Sequence, residues 1–96
     1  MPIRRIVIDV LVPYEPDILT FAESLSGLQG ISGVNIQVLE HDEKTRTVEM
    51  TIEGEDLAFQ EIRGIIDDLG GSIHSVDEVA AGSKIVESRA QNGEGT

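Results

Sequence analysis

Apolar residues recur along this chain with two different spacings, and the order of those spacings constrains the fold more than any other feature. Four segments alternate apolar with polar residues, as strands with one buried face do. Two others place apolar residues three and four positions apart, as amphipathic helices do. The predicted elements are strand β1 (3–12), helix α1 (16–28), strands β2 (34–39) and β3 (47–53), helix α2 (57–69) and strand β4 (73–79).

This order of strands and helices predicts an α+β domain of the ferredoxin-like βαββαβ type. Right-handed crossovers would place both helices on one face of a four-stranded antiparallel sheet, with the strands in the order 4-1-3-2. The chain has 96 residues, which suits one domain. We assign residues 1–82 to this domain and predict that residues 83–96 form a flexible C-terminal extension.

Three residues mark the predicted starts of the helices. Pro16 suits the first position of α1 because its restricted φ is already helical, and Asp17 would then lie in the first turn. Asp56 is predicted to cap α2, because its side chain can accept a hydrogen bond from the backbone of the first turn. Both helices are therefore expected to begin directly at these residues.

Charge and composition exclude several functions. The 18 acidic and seven basic residues give a net charge of −11, which repels nucleic acids and anionic membranes. RNA-binding domains of this shape also need aromatic residues on their central strands, which β1 and β3 lack. The absence of cysteine excludes disulfides and thiolate metal sites. No segment has about 20 consecutive apolar residues and no signal peptide opens the chain, so we predict a cytoplasmic protein.

One face of the predicted sheet has no helix to cover it. Val7, Leu11 and Leu39 would lie there among polar residues, which is an unusual apolar exposure for a small monomer. Strand β2 is also an edge strand, whose unpaired backbone groups can join another subunit. We therefore predict a homo-oligomer with closed symmetry. The alternative is a fully solvated face, which antiparallel sheets tolerate.

Carboxylates near the middle of the sheet suggest a cation site. Asp9 lies in the middle of β1, where aspartate is disfavoured. Both predicted neighbours of β1 also carry carboxylates, which are Glu49, Glu53, Asp77 and Glu78. Like charges held close together must protonate, pair with a base or bind a cation, and hard oxygen ligands favour calcium or magnesium.

We predict that Asp9, Asp77 and Glu78 are the metal ligands and that His74 orients a carboxylate or supports the strand. Two alternatives stay open for Asp9, which could pair with Arg4 or Arg5 across a subunit contact or simply face water. The acidity of the chain likewise has two interpretations, namely attraction of a cation or adaptation to high salt.

Catalysis is a weaker interpretation of the same residues. His74 is followed by Ser75 and lies near Asp77, but neighbours on a strand point to opposite faces, so adjacency does not make a catalytic triad. The chain has no Gly-x-Ser-x-Gly motif. The loop 12–16 has neither a glycine nor a base with which to cradle phosphate. A hydrogen-bonded structural role is the simpler account of His74, and an enzyme acting through it is the third hypothesis.

Three segments resemble an uncharacterised archaeal family known as domain of unknown function two-eleven. They are Asp9-Val10-Leu11 with Pro13 and Glu15-Pro16, then Gly33-Val34-Asn35, and then Gly70-Gly71-Ser72-Ile73-His74-Ser75-Val76-Asp77-Glu78-Val79. The similarity extends to about Gly82. The resemblance implies a ferredoxin-like fold, an archaeal source and a ring-like or otherwise multimeric assembly, and it brings no activity with it. The family's distinctive polar positions correspond here to Asp9, Glu15, Asn35, His74, Asp77 and Glu78.

The leading hypothesis is therefore a non-enzymatic, homo-oligomeric domain with a calcium or magnesium site and no organic cofactor. The alternative is a regulatory module that binds a small ligand at a subunit interface. Such a module would be similar to the amino-acid-binding ferredoxin-like domains, whose ligands bind near the β1–α1 loop, here residues 12–17.

Overall fold

The computed structural model describes residues 1–88, which form one four-stranded sheet and two helices. The elements are β1 (Ile3–Pro13), α1 (Ile18–Ser26), β2 (Ile31–His41), β3 (Thr45–Gly54), α2 (Phe59–Asp68) and β4 (Ser72–Ala81). All neighbouring strands are antiparallel, in the order β2-β3-β1-β4. This confirms the predicted ferredoxin-like fold. Neither helix in residues 1–88 is long and apolar enough to cross a membrane.

The two helices cover one face of the sheet, because the alternating apolar side chains of the central strands point to that face. In β1 the even-numbered residues 6–12 are at most 2% exposed. They form one core with apolar residues of β3 and of both helices: Val48, Met50, Ile52, Phe21, Leu25, Ile62 and Ile66. The core therefore lies between the sheet and the helices, as the period of the apolar residues predicts.

The odd-numbered residues of the central strands lie on the opposite side of the sheet, which we call the open face. It is defined by Arg5, Val7, Asp9 and Leu11 of β1 and by Thr47, Glu49, Thr51 and Glu53 of β3. These residues stand opposite each other in register, from Arg5 with Glu53 to Leu11 with Thr47. Leu11 is 43% exposed. Both helices lie on the other side, so no helix of residues 1–88 covers this face.

The start of α1 differs from the prediction. Asp17 is the N-cap, because its side chain accepts a hydrogen bond from the backbone nitrogen of Thr20 at 3.2 Å. The helix therefore begins at Ile18, and the prediction that Pro16 is its first residue is wrong. The peptide bond between Glu15 and Pro16 is cis. Capping by the aspartate side chain places the helix boundary after the proline and not at it.

The start of α2 also differs from the prediction. Ala58 occupies the N-cap position and makes no side-chain capping hydrogen bond, so Asp56 does not cap this helix. The cause lies in the residue between them, since the backbone nitrogen of Leu57 donates to the carbonyl of Ile3 at 2.9 Å. This long-range hydrogen bond holds Leu57 against β1, and the helix begins only at Phe59.

The predicted C-terminal extension is described as far as residue 88. Residues 83–88 follow β4 without regular secondary structure. The rest of the predicted extension, residues 89–96, lies outside the described residues.

Candidate functional site

Asp9 lies on the open face between two strands that carry polar residues. It stands opposite Glu49 on β3 and opposite Ser75 on β4. Residues opposite each other in an antiparallel pair have Cβ atoms about 4.5–5.5 Å apart, and like charges in that position destabilise the pair. The expectation that the fold brings Asp9 near a carboxylate of β3 is thus met by Glu49.

One carboxylate oxygen of Asp9 is buried without a hydrogen-bond donor. The Oδ1 atom has no significant solvent exposure and no partner in residues 1–88. The Ser75 hydroxyl is the nearest candidate in register, but it donates to Asp77 Oδ1 at 2.8 Å. A buried acceptor left unpaired costs about 1–3 kcal/mol. Asp9 therefore has an acceptor that a cation or a donor group would stabilise.

Asp9 lies at a concavity of about 320 Å³. This concavity is lined by Asp9, Leu11, Thr47 and His74, and we call it the Asp9 concavity. His74 reaches it because the pairing of β1 with β4 shifts at this point. Asp9 pairs with Ser75, whereas Val10 pairs with Ile73, so that His74 is an extra residue on β4. A bulge of this kind turns a side chain out of the regular alternation.

The other two predicted metal ligands lie elsewhere. Glu78 Oε2 accepts a hydrogen bond from Arg5 Nη1 at 3.3 Å. Asp77 occupies a second bulge, since Val76 pairs with Ile8 and Glu78 pairs with Val7. The structure thus brings Asp9 and His74 to one concavity and engages Asp77 and Glu78 with other partners. No three His, Asp or Glu side chains within residues 1–88 are arranged so that they could hold a metal ion.

Arg5 forms ion pairs with three carboxylates beside the neighbouring part of the open face. Its Nε lies 2.7 Å from Glu53 Oε2. Its Nη1 and Nη2 lie 3.0 and 3.1 Å from the two carboxylate oxygens of Glu87, and Nη1 also contacts Glu78. The hydrogen bond with Glu87 is the largest cause that raises the pKa of Arg5, and the same contact lowers the pKa of Glu87. Within its own chain Arg5 is engaged by glutamates, and a pairing of Asp9 with Arg4 or Arg5 across a subunit contact stays a prediction.

Sequence reasoning missed this arginine cluster. Its members come from β1, β3, β4 and the segment after β4, so no local spacing connects them. The alternation of β1 did place Arg5 on the open face. It could not show which carboxylates would stand beside it, because that depends on the register of three strands.

The β1–α1 loop, where the alternative hypothesis places a ligand, packs against the hairpin between β2 and β3. The Tyr14 hydroxyl donates to the carbonyl of Asp42 at 2.5 Å. The guanidinium carbon of Arg46 lies 4.6 Å from the centre of the Tyr14 ring, within the range of a cation–π contact. The loop is therefore held in place by residues of its own chain.

Comparison with known proteins identifies the family of this chain and leaves the activity open. The family model of DUF211, described as "Uncharacterized ArCR", matches residues 4–95. An uncharacterised protein of Methanocaldococcus jannaschii, MJ0319, is 56% identical over 85 residues, which are 88% of each chain. The family model covers the strands of the open face from residue 4 onward and the whole of the bulged strand β4. The chain therefore belongs to the archaeal DUF211 family, whose function is uncharacterised.

Proposed function

We propose that this protein is a non-enzymatic, homo-oligomeric domain whose Asp9 concavity binds a divalent cation, calcium or magnesium. The observation that carries the proposal is the buried Oδ1 atom of Asp9, which has no donor in residues 1–88. A nearby cation stabilises a carboxylate most when that carboxylate faces a second carboxylate and has no hydrogen-bond donor. The net charge of −11 adds to that attraction.

The chemistry of the concavity favours a hard cation. Asp9 supplies a carboxylate, and the Thr47 hydroxyl is a further oxygen donor on the neighbouring strand. Calcium prefers oxygen ligands to imidazole, so in this proposal His74 acts by orienting the carboxylate. Glu78 and Asp77 take no direct part, because Arg5 and Ser75 already hold them.

Self-association is part of the proposal, because one copy supplies too few ligands. Calcium takes six to eight oxygen ligands, of which water and a second copy would provide the remainder. The exposed Leu11 at the concavity favours burial against another subunit. Strand β2 is an edge of the sheet and offers backbone groups for pairing. A cation at Asp9 would then stabilise the contact between copies.

Light scattering on a sizing column tests the proposal. The parent chain is run in EDTA and in millimolar calcium or magnesium, beside Asp9→Asn and a control variant, Asp56→Asn. Asp56 is exposed and lies outside the Asp9 concavity, so its substitution removes the same charge from a different place. We expect the cation to increase the oligomeric mass or the thermal stability of the parent and of Asp56→Asn, and to leave Asp9→Asn unchanged.

Three results would contradict the proposal. A monomer under all conditions would exclude the homo-oligomer. An oligomer in which the cation changes neither mass nor melting temperature, with no heat of binding by calorimetry, would exclude the cation site. A thermal shift with amino acids and none with metal would replace the proposal by the regulatory small-ligand module.

A further inference from the structure

Arg46 differs from the other arginines in residues 1–88 because its guanidinium has neither a carboxylate nor a carbonyl partner. Arg4 donates to three backbone carbonyls, and Arg5 pairs with three glutamates. Arg63 lies 4.0 Å from a carboxylate oxygen of Asp67, one turn further along α2. Arg46 forms no ion pair and no side-chain hydrogen bond within the described part of the chain. A positive charge thus stays unpaired in a chain that has 18 acidic residues.

An aromatic ring holds the guanidinium of Arg46 in place. Its Cζ atom lies 4.6 Å from the centre of the Tyr14 ring. The Tyr14 hydroxyl donates to the carbonyl of Asp42, and the backbone nitrogen of Asp42 donates to the carbonyl of Thr45 at 2.8 Å. The backbone of Arg46 is itself paired with a strand on each side. A guanidinium that is stacked on an immobilised ring loses little freedom when it binds a further group.

Burial of one nitrogen atom decides which edge of the guanidinium can bind another group. The Nε atom of Arg46 is buried and has no partner in residues 1–88. The two Nη groups have no partner there either, but unlike Nε they are not buried. An incoming group therefore meets the edge formed by Nη1 and Nη2. The two parallel N–H bonds of that edge match the two oxygens of a carboxylate.

The surroundings of Arg46 favour an anion with one negative charge. Arg46 stands opposite Val12, whose side chain is buried under the helices, so it lies on the helix side of the sheet, where β1 leads into α1. The first turn of α1 offers little to an anion, because the backbone nitrogen of Thr20 already donates to the side chain of Asp17. One guanidinium balances one carboxylate, and the net charge of −11 opposes a dianion more strongly than a monoanion.

We propose that Arg46, stacked on Tyr14, is a binding site for the carboxylate group of a small organic anion. Nη1 and Nη2 each donate to one oxygen of that carboxylate, and the Tyr14 ring keeps the guanidinium in the orientation that this contact needs. The site lies on the opposite side of the sheet from the Asp9 concavity. Binding at Arg46 therefore goes beyond the proposed cation site and does not depend on it.

Nuclear magnetic resonance of the 15N-labelled full chain tests this site, in a buffer freed of divalent cations on a chelating resin. Each arginine gives its own Nε–Hε signal, and the variants Arg46→Lys and Arg63→Lys assign the two signals that are compared. Sodium acetate is the probe and replaces sodium chloride at constant ionic strength. Acetamide is the neutral control of the same shape. Arg63 is the internal reference, because it lies on α2 and its side chain is 58% exposed.

We expect the Arg46 signal of the parent to reach its midpoint at an acetate concentration roughly tenfold lower than the Arg63 signal. The reason is that a held guanidinium forms a two-pronged, charge-assisted contact, whereas an exposed arginine must first be ordered. Tyr14→Leu removes the ring and should bring the Arg46 midpoint close to that of Arg63. Tyr14→Phe keeps the ring and should retain most of the difference. Acetamide should shift neither signal.

Equal acetate midpoints for Arg46 and Arg63 in the parent would overturn the proposal, and the function of Arg46 would then be to hold Tyr14 alone. An equal response to acetamide would overturn it as well. Inorganic phosphate that binds more tightly than acetate would exclude a carboxylate as the preferred ligand. An Arg46 signal that moves on dilution without acetate would assign the site to a second copy of the chain. These measurements use the parent chain, so they remain decisive if a Tyr14 variant does not fold.

Discussion

Replacing Asp9 by asparagine should stabilise the protein when no divalent cation is present. Most substitutions within a sheet are destabilising, so an increase in stability is a demanding expectation. It follows from two features of Asp9, namely its position opposite Glu49 and the buried Oδ1 atom without a donor. Asparagine has the same shape and no charge, so it removes the repulsion while preserving the packing.

The size of the effect can be estimated from these two features. Like charges opposite each other in a sheet cost up to about 1 kcal/mol. The buried oxygen costs about 1–3 kcal/mol, of which asparagine recovers only a part because its own carbonyl takes that place. A net gain of about 1 kcal/mol is therefore expected. For a domain of this size it corresponds to an increase of about 4–8 °C in melting temperature.

Thermal unfolding by circular dichroism measures this change, at one protein concentration and in EDTA. The Asp56→Asn variant is the control, since it removes an exposed charge and should shift the free energy of unfolding by less than about 0.5 kcal/mol. In millimolar calcium the parent should gain stability and Asp9→Asn should not. The order of stability of the two proteins is therefore measured in both buffers. An Asp9→Asn variant that is less stable than the parent in EDTA would refute the reasoning, because Asp9 would then already have a favourable partner.

Four further substitutions test the fold and the arginine cluster. Gly54→Ala should lose about 2–3 kcal/mol in urea titration, because its Cβ would overlap the carbonyl oxygen of Gly30. Gly33→Ala, whose Cβ meets nothing within 4 Å, should be close to neutral. Asp17→Ala should lose about 1 kcal/mol of stability on heating, because the cap of α1 is removed. The contact with Arg5 lowers the pKa of Glu87. The stability that this ion pair gives to the folded protein is therefore complete above pH 4.5, the usual pKa, and is lost as the pH falls through the lowered pKa. In a series of melting temperatures against pH, the melting temperature of the parent should fall over this acidic range. The Glu87→Gln variant should lack this part of the fall.

The fold could be predicted from the sequence because burial imposes a period. Alternate residues of β1 from 6 to 12 must be apolar to line a core under helices, and that pattern is visible without a structure. The order of strands and helices then leaves few topologies, and the observed strand order is the predicted one. The helix starts were less predictable, since the hydrogen bond from Leu57 to Ile3 crosses between distant parts of the chain.

The sequence by itself therefore determined the elements, the buried face and the position of Asp9 on the opposite face. Only the tertiary structure decided which side chains meet there. Two bulges in β4 direct His74 to the Asp9 concavity and place Asp77 away from it. The register of three strands places Glu78 beside Arg5. A period of two specifies the face on which a residue lies but not its neighbour across the strand, because register and bulges depend on pairing along the whole sheet.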